Sequence, residues 1–308
     1  MGIRFWLGSR IFLRCPGTWE EDVDRATYKG EVTSAFNEAA ARYDRLGVEF
    51  FTPMARRLVD HARPEPGDRV LDIGCGAGAS VFPAADRVGP RGSVLGIDIA
   101  SAMVEQTVEQ ARAQGRDNVT ARVMDAERPD LPERSFDVVM GGYSVIFLPD
   151  APAALSRYVP LTADGGRLAF STPVFDSGTF PFLPPVFTDL IPRSLLRDLP
   201  PEWHPERLQQ RFNSWLEDPE DLVRAVESAG YREVSVVDEQ IDMVARSGEA
   251  WVDWSHTQGM RLLWEHLAEA QSRELRRTLI TGLDAMRSGD GPLTIEVPVR
   301  YVTARVPR

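Results

Sequence analysis

The chain has 308 residues, of which 43% are hydrophobic and 26% charged, and its formal net charge is −11 at pH 7. This length is enough for one large domain with a buried core. The acidic balance gives no general attraction to nucleic acid or to an anionic membrane, which disfavours a nucleic acid substrate and favours a small molecule.

The N-terminal segment, residues 3–13, is apolar and basic. Arg10 interrupts its apolar run, which is too short to span a bilayer, and no small-residue cleavage site follows. We therefore interpret residues 1–30 as an extension, either a docking helix or a poorly ordered segment, rather than as a signal peptide. The two cysteines, Cys15 and Cys75, do not suggest a disulfide framework, which favours a cytoplasmic location.

Two helices are predicted between Glu31 and Ala62, because apolar residues recur there at helical spacing. A short apolar strand, Val70–Ile73, then leads directly into three glycines at alternate positions, Gly74, Gly76 and Gly78. Glycine allows the backbone to take positive φ and to pass close to a bound molecule, and the helix predicted next presents unpaired N–H groups to an anion. This turn is typical of a site for a nucleotide-like ligand.

Two cofactor classes are compatible with the glycine turn. Gly74, Gly76 and Ala79 satisfy the looser dinucleotide pattern G-x-G-x-x-G/A, which places a pyrophosphate at the turn. Asp72, two residues before the first glycine, is unfavourable for that anion. S-adenosylmethionine instead carries a sulfonium and an ammonium group, and a carboxylate is complementary to both. The residues favour S-adenosylmethionine, with a dinucleotide or a purely structural turn as alternatives.

Strand and helix signals alternate as far as Ser171, which is typical of a parallel sheet with helices on both faces. Asp98 ends the second strand, where a carboxylate can accept both hydroxyls of a ribose; the alternative is an N-cap for the following helix. Met103 on that helix can pack against adenine or belong to the core. The predicted strands are Arg69–Ile73, Ser93–Ile97, Thr120–Val123, Phe136–Gly141 and Gly166–Ser171, and the helices include Ala79–Arg87, Ser101–Gln114 and Ala151–Val159.

The segment Asp72–Gly78 resembles the first motif of the class I S-adenosylmethionine-dependent methyltransferases, and residues 34–172 resemble their ubiquinone/menaquinone-biosynthesis-like branch of small-molecule enzymes. The resemblance implies a helical cover over the cofactor at residues 31–66. It assigns the adenine amino group to Asp125 and a ring nitrogen to the backbone N–H of Ala126. It also implies cofactor contacts at Cys75, Ile99 and Gly141, the last at the strand end that faces the transferable methyl.

Members of this branch often carry two histidines after the fourth strand, and Ile146 and Phe147 occupy those places here. The replacement removes a base, makes this wall of the pocket apolar and disfavours quinone-ring methylation. Methyl transfer needs a base only when the acceptor still holds its proton. The remaining candidates for a base are Tyr43, Tyr143, His204 and His256, and both histidines have the simpler interpretation of packing or surface residues.

The alternating pattern ends after Ser171. Residues 175–205 are rich in proline and aromatic side chains, which is typical of a lid or a binding loop. The pattern resumes with helix Pro219–Ala229 and strand Tyr231–Val237. Two more helices are predicted within residues 247–287, and a final strand or strand pair within residues 293–306.

These elements predict a seven-stranded, doubly wound, Rossmann-like methyltransferase sheet with a helical N-terminal cover and a helical lid. The predicted units are an N-terminal extension (residues 1–30), a helical cover (31–66), a cofactor-binding core (67–173), a lid insertion (174–216) and the C-terminal part of the core (217–308) with a helical insertion at 247–289.

The predicted function is S-adenosylmethionine-dependent C- or O-methylation of a small apolar, aromatic or terpenoid metabolite in specialised metabolism. Two alternatives keep the fold: an enzyme that catalyses a non-methylating reaction such as cyclisation, and a non-catalytic binding partner. An NAD-dependent enzyme is the weakest alternative. We expect a small-molecule substrate, no nucleic acid, no membrane span and no metal site; the sequence leaves assembly into a homo-oligomer open.

Overall fold

Eight strands form one sheet in the computed structural model, which describes residues 25–43, 46–174, 187, 190, 191, 195, 214–257 and 260–308. The strand order is β1-β7-β8-β6-β5-β2-β3-β4. The strands are β1 Val48–Glu49, β2 Arg69–Ile73, β3 Ser93–Asp98, β4 Val119–Val123, β5 Phe136–Gly142, β6 Thr162–Pro173, β7 Arg232–Ala245 and β8 Leu293–Arg305.

Helices cover both faces of this sheet. Those within the described residues are α1 Arg25–Ala39, α2 Phe51–Ala62, α3 Val81–Val88, α4 Ser101–Ala113, α5 Ala151–Tyr158, α6 Pro219–Ser228, α7 Gly248–Ser255, α8 Arg261–His266 and α9 Glu269–Ala285. Two large clusters of buried apolar residues, one on each face, form the core. The predicted doubly wound α/β class is confirmed.

The central strand β2 is parallel to β3 on one side and to β5 on the other. Its four residues from Val70 to Ile73 are buried, as their continuous apolar character around Asp72 requires for a strand covered on both faces. The chain runs outward from β2 through β3 to β4 and then returns to β5 on the opposite side. Ligands of open α/β sheets bind in the crevice at the carboxyl ends of the strands where the order reverses in this way.

The structure differs from the prediction in the number of strands. The eighth strand, β1, pairs antiparallel with β7 through Val48 and Glu49. We had placed this stretch inside two helices, but Gly47 adopts φ +76°, outside the helical region, between α1 and β1. A two-residue strand depends on its partner in β7, 195 or more residues later in the chain, so the local pattern could not reveal it.

The C-terminal part also contains more elements than predicted. Three helices, α7, α8 and α9, connect β7 to β8, where the pattern predicted two. The strands β7 and β8 have 14 and 13 residues and pair antiparallel as far as Ala245 opposite Leu293. The three helices therefore sit at the end of this long strand pair, beside β1 and α2.

Three further predictions lie partly or wholly outside the described residues. The lid assigned to residues 174–216 falls mostly there, and so do His204 and most of the N-terminal extension. The helix α1 begins at Arg25, within that predicted extension. None of the helices in the described part of the chain is long and apolar enough to cross a bilayer.

Candidate active site

A cavity opens at the carboxyl ends of β2, β3 and β4, the edge of the sheet that the sequence predicts to bind the cofactor. Seven of the predicted cofactor residues line it: Gly74, Gly76, Asp98, Ile99, Met103, Asp125 and Ala126. The parallel pairing of the three strands brings these residues together, although up to 52 positions separate them in the chain.

The glycine turn after β2 needs glycine at three positions for different reasons. Gly74, Gly76 and Gly78 all have positive φ, at +66°, +52° and +92°. A Cβ on Gly74 would lie 2.5 Å from Cβ of Ser144, and one on Gly78 would lie 2.4 Å from the ring of Phe82. A Cβ on Gly76 would meet no atom within 4 Å and would point into open space. The backbone at Gly76 is therefore open to a ligand, whereas the other two glycines allow close packing.

Asp72 lies behind the turn and is fully buried. Its Oδ2 accepts a hydrogen bond of 2.5 Å from the Ser80 hydroxyl, but its Oδ1 has no partner. Burial, with a smaller contribution from the charge of Asp98, raises the pKa of Asp72 to about 7. A buried carboxylate with an unpaired oxygen is well suited to a cationic ligand, because a nearby positive charge stabilises the ionised form, which has lost its solvation by water.

Asp98 ties the end of β3 to the glycine turn. One carboxylate oxygen accepts the Gly76 N–H at 2.9 Å, and the other accepts the Ala100 N–H at 2.8 Å. Burial raises the pKa of Asp98, and these backbone hydrogen bonds oppose the shift. The second bond is an Asx-type turn ahead of α4, whose N-cap is Ala100, so Asp98 does not cap this helix and the N-cap alternative is wrong. The two hydrogen bonds from backbone N–H groups hold the carboxylate at the cavity wall, where its remaining lone pairs can accept hydrogen bonds from hydroxyl groups.

Asp125 is paired with Lys29 of the cover helix α1. Lys29 Nζ lies 2.6 Å from Asp125 Oδ2 and also pairs with Glu127, whose side chain is only 3% exposed. Lys29 is the single lysine of the chain, in which arginine supplies every other basic side chain apart from histidine. Burial lowers its pKa, but the hydrogen bonds to both carboxylates outweigh this and leave the pKa raised. The cover helix is thus anchored by charge at the predicted adenine end of the cavity.

Three predicted cofactor residues besides Asp72, namely Cys75, Gly78 and Gly141, are not among the residues that line this cavity. Cys75 is 4% exposed, and burial raises the pKa of its thiol well above the usual range. A Cβ on Gly141 would lie 2.5 Å from Oγ of Ser144 and 2.7 Å from Ile73. These residues shape the wall by close packing, and Gly142, the next residue, borders the cavity instead.

The other end of the cavity is aromatic and apolar. Phe51 of α2 is at its centre: its ring stacks on Tyr43 at 5.2 Å and lies 5.8 Å from Trp254 and 6.4 Å from Tyr143. The remaining wall comes from separate elements and includes Phe50, Ile146, Phe147, Met243, Trp251, Met260 and Val297. Ile146 and Phe147 thus form an apolar wall at the positions where the sequence indicated one.

The candidate bases are distributed unevenly. Tyr43 and Tyr143 line the cavity. The Tyr143 hydroxyl is buried without a hydrogen-bond partner, and burial raises its pKa well above the usual value. His256 is not a cavity residue; it is exposed at the end of α7 and stacks on Trp264 at 4.5 Å. Burial, followed by the charge of Arg276, lowers the pKa of His256.

Sequence reasoning missed several cavity residues. Lys29, Phe51, Ser144 and Trp254 all line the cavity, and none was selected as a site residue. Trp254 gives no sequence signal of its own, because a tryptophan at helical spacing looks the same whether it faces the core or a ligand. Lys29 carried a usable signal, since it is the one lysine among 35 Lys and Arg residues, but its partners Asp125 and Glu127 lie about 100 positions away.

The residues at the sheet edge fit S-adenosylmethionine. The open backbone at Gly76 allows the ligand to approach closely. The unpaired Oδ1 of Asp72 is a partner for its positive charge, and the anchored carboxylate of Asp98 accepts hydrogen bonds from its hydroxyls. A dinucleotide fits less well, because its pyrophosphate would approach the carboxylates of Asp72 and Asp98 at the same turn.

The model of a family described as "methyltransferase domain" matches residues 64–245. The aklanonic acid methyltransferase DauC of Streptomyces sp. (strain C5) is 60% identical over 206 residues, which cover 67% of this chain and 94% of that protein. The nocamycin O-methyltransferase of Saccharothrix syringae is 37% identical over 272 residues, which cover 88% of this chain and 97% of that protein.

A similar fold is seen in the solved structure of the [4+2]-cyclase SpnF, with a TM-score of 0.52 and 16% sequence identity. The match covers 92% of this chain and 94% of that one. At this identity the likeness concerns the fold alone, and it shows that this architecture also supports reactions other than methyl transfer.

Proposed function

This chain belongs to the methyltransferase family just described, and on that premise we propose that it transfers the methyl group of S-adenosylmethionine to an oxygen atom of a small, largely apolar, ring-containing metabolite. It is a class I S-adenosylmethionine-dependent methyltransferase. The proposal concerns the residues of the site, the acceptor and the atom that is methylated.

The observation that carries the proposal is the continuity of the cavity. The same cavity that borders Gly76, Asp98 and Asp125 extends to the aromatic chamber around Phe51 and Trp254. One end therefore offers carboxylate oxygens that accept hydrogen bonds from hydroxyl and amino groups, and the other end offers aromatic rings and aliphatic side chains. An apolar acceptor and a polar cofactor can lie end to end in such a space.

S-adenosylmethionine supplies an already activated methyl group when it is bound. The protein's part is to hold both partners in line and to exclude water, which can supply most of the rate. Asp98 binds the ribose hydroxyls, Asp125 and Ala126 bind the adenine edge, and Asp72 lies behind the turn as the counter-charge. The rings of Tyr43, Phe51 and Trp254 confine the acceptor.

The acceptor must arrive without its proton. Among the described residues that line the cavity, the titratable groups are Lys29, Asp98 and Asp125 at the cofactor end and two tyrosines at the aromatic end. Tyr143 stays protonated at neutral pH, because burial raises its pKa. We therefore propose an acceptor oxygen that is acidic enough to ionise in solution, such as that of a carboxylic acid or an acidic phenol.

The two relatives support this choice of acceptor. One is named an aklanonic acid methyltransferase, and the other is named a nocamycin O-methyltransferase. Both are named methyltransferases and cover most of their own length in the match, which disfavours cyclisation and a purely binding role for this chain. We also propose, on the small-molecule acceptor and the paucity of cysteine, that the enzyme acts in the cytoplasm without a nucleic acid partner.

The test is turnover with aklanonic acid as the trial acceptor. The purified protein is incubated with S-adenosylmethionine and aklanonic acid, and the products are analysed by mass spectrometry. We expect a product that is heavier by one methylene unit and an equal amount of S-adenosylhomocysteine. A rearranged product of unchanged mass would instead support cyclisation, and binding of both compounds without any product would support the non-catalytic role.

A further inference from the structure

Trp254 combines burial, a place at the aromatic end of the cavity and an unsatisfied hydrogen-bond donor. It lies on α7, is 5% exposed and lines the cavity. Its ring lies 5.8 Å from that of Phe51 and 6.2 Å from that of Trp251. Its indole Nε1 is buried and has no hydrogen-bond partner.

The neighbouring tryptophans, Trp251 of α7 and Trp264 of α8, do not have an unpaired indole N–H. The Trp251 N–H donates to Sδ of Met243 at 3.0 Å, and the Trp264 N–H donates to Oγ of Ser255 at 2.9 Å. Trp215 also has an unpaired indole N–H, but it packs in the core cluster on the other face and is not a cavity residue. Among the tryptophans that the structure describes, Trp254 alone joins an unpaired donor to the cavity.

A buried N–H without an acceptor costs free energy in the unliganded protein. Phenylalanine is aromatic and carries no buried donor, so the N–H itself adds nothing to the packing of the chamber. An indole nitrogen is a donor only, and its complement is an oxygen with a free lone pair. In a largely apolar chamber, a few placed polar groups fix the orientation of a ligand, and the Trp254 N–H is one of them, beside the Tyr143 hydroxyl.

We propose that the indole N–H of Trp254 binds an accepting oxygen of the methyl acceptor, a carbonyl or carboxylate oxygen, and thereby positions the acceptor ring between Phe51 and the cofactor end of the cavity. This inference rests on the proposed function, since it assumes that the aromatic chamber holds the acceptor. Trp254 is a positioning residue: it holds the acceptor and takes no part in bond making or proton transfer.

Two substitutions, Trp254→Phe and Trp264→Phe, separate this role from a structural one. Each removes one indole N–H, from α7 in the first variant and from α8 in the second, but only the Trp264 N–H has a protein partner. Binding of aklanonic acid is measured by calorimetry in the presence of S-adenosylhomocysteine, and the melting temperature is measured without ligand. Both measurements use the full chain.

We expect opposite results for the two variants. Trp254→Phe should bind aklanonic acid roughly tenfold more weakly, and its melting temperature should fall by less than that of Trp264→Phe, because it loses buried ring surface but no hydrogen bond. Trp264→Phe should melt roughly 2–4 °C lower, because it loses a satisfied hydrogen bond, and should bind aklanonic acid as the wild type does.

Two results would overturn the inference in distinguishable ways. If Trp254→Phe binds aklanonic acid as tightly as the wild type, or if its melting temperature falls as that of Trp264→Phe does, the indole has a packing role and the inference is wrong. If the wild type itself fails to bind aklanonic acid, the proposed acceptor class is wrong, and the assignment of Trp254 is withdrawn with it.

Discussion

Asp72 is the buried carboxyl group whose ionisation couples the stability of the protein to pH. It is fully buried, one of its oxygens has no partner, and burial raises its pKa to about 7 from the ordinary value of 3.8. Below about pH 4 the carboxyl is protonated in both the folded and the unfolded chain. Between about pH 4 and pH 7 the unfolded chain is ionised while the folded chain keeps its proton, so this group lowers the stability of the free protein as the pH rises through that window.

This shift predicts how cofactor binding depends on pH. An ammonium group beside Asp72 favours its ionised form, so binding below pH 7 should release close to one proton and should tighten about tenfold from pH 5.5 to pH 6.5. Titration calorimetry of S-adenosylhomocysteine in buffers of different ionisation enthalpy measures both quantities. Asp72→Asn should bind more weakly and should show neither effect. Identical pH dependence in Asp72→Asn and the wild type would show that another group titrates.

Tyr143 is the second residue with a testable role. It is the first residue after β5, adopts φ +52°, and its buried hydroxyl has no partner. Because burial raises its pKa well above the usual value, the hydroxyl can donate a hydrogen bond but cannot serve as a base at neutral pH.

Tyr143→Phe should therefore reduce kcat by less than about tenfold, the loss of one neutral hydrogen bond. The dependence of kcat on pH between 7 and 9 should be unchanged. The measurement is the initial rate of methylation of aklanonic acid across this range. If the substitution changes the dependence of kcat on pH in this range, Tyr143 is the base after all.

Among the elements, α1 has the clearest functional position. Its polar contacts join Lys29 to Asp125 and Glu127, and the Oδ1 of Asn37 accepts the Ala102 N–H at 2.9 Å. Its apolar contacts include the ring of Phe36, which lies 5.3 Å from that of Phe147. On the opposite side, the Arg261 guanidinium of α8 donates to the Ala35 carbonyl at 3.2 Å. Polar and apolar contacts together therefore hold α1 at the cofactor end of the cavity.

We expect Lys29 to slow cofactor release by holding α1 over Asp125. In Lys29→Met, S-adenosylhomocysteine should dissociate roughly threefold to tenfold faster, a modest effect because Lys29 and Asp125 are partly exposed. Lys29→Arg keeps the charge and should stay close to the wild type in stopped-flow measurements. Since Lys29 is the single lysine, lysine acetylation measures the accessibility of this one side chain. Slower acetylation of Lys29 when S-adenosylhomocysteine is bound therefore reports on this contact alone. Equal dissociation rates in all three proteins would separate α1 from cofactor release.

The elements also show what the sequence could and could not predict. The strand β2, the glycine turn and Asp98 were predictable because a short apolar run, special backbone conformations and an acidic strand end each leave a local signal. The strand β1 and the position of His256 were not, because they depend on partners far along the chain, β7 and Trp264. The aromatic chamber was only partly visible, since a ring at helical spacing looks the same whether it faces a core or a ligand.

At the scale of the whole molecule, the sheet divides the work between its two ends. The parallel half, β2 to β5, presents the proposed cofactor residues, and the antiparallel half contributes Met243 of β7 and Val297 of β8 to the aromatic chamber. Residues of α2 and α7 and Met260, the residue before α8, line the chamber. Variation in these helices can change the acceptor while the cofactor end stays the same.

The central claim is that one cavity holds the cofactor at the sheet edge and the methyl acceptor in the aromatic chamber. A crystal structure of the full chain with S-adenosylhomocysteine and aklanonic acid tests it most directly. We predict ribose hydroxyls on Asp98, adenine beside Asp125, and an acceptor oxygen that faces the cofactor sulfur from within the rings of Phe51 and Trp254. An acceptor bound outside this chamber, or a cofactor that makes no contact with Asp98, would contradict the account.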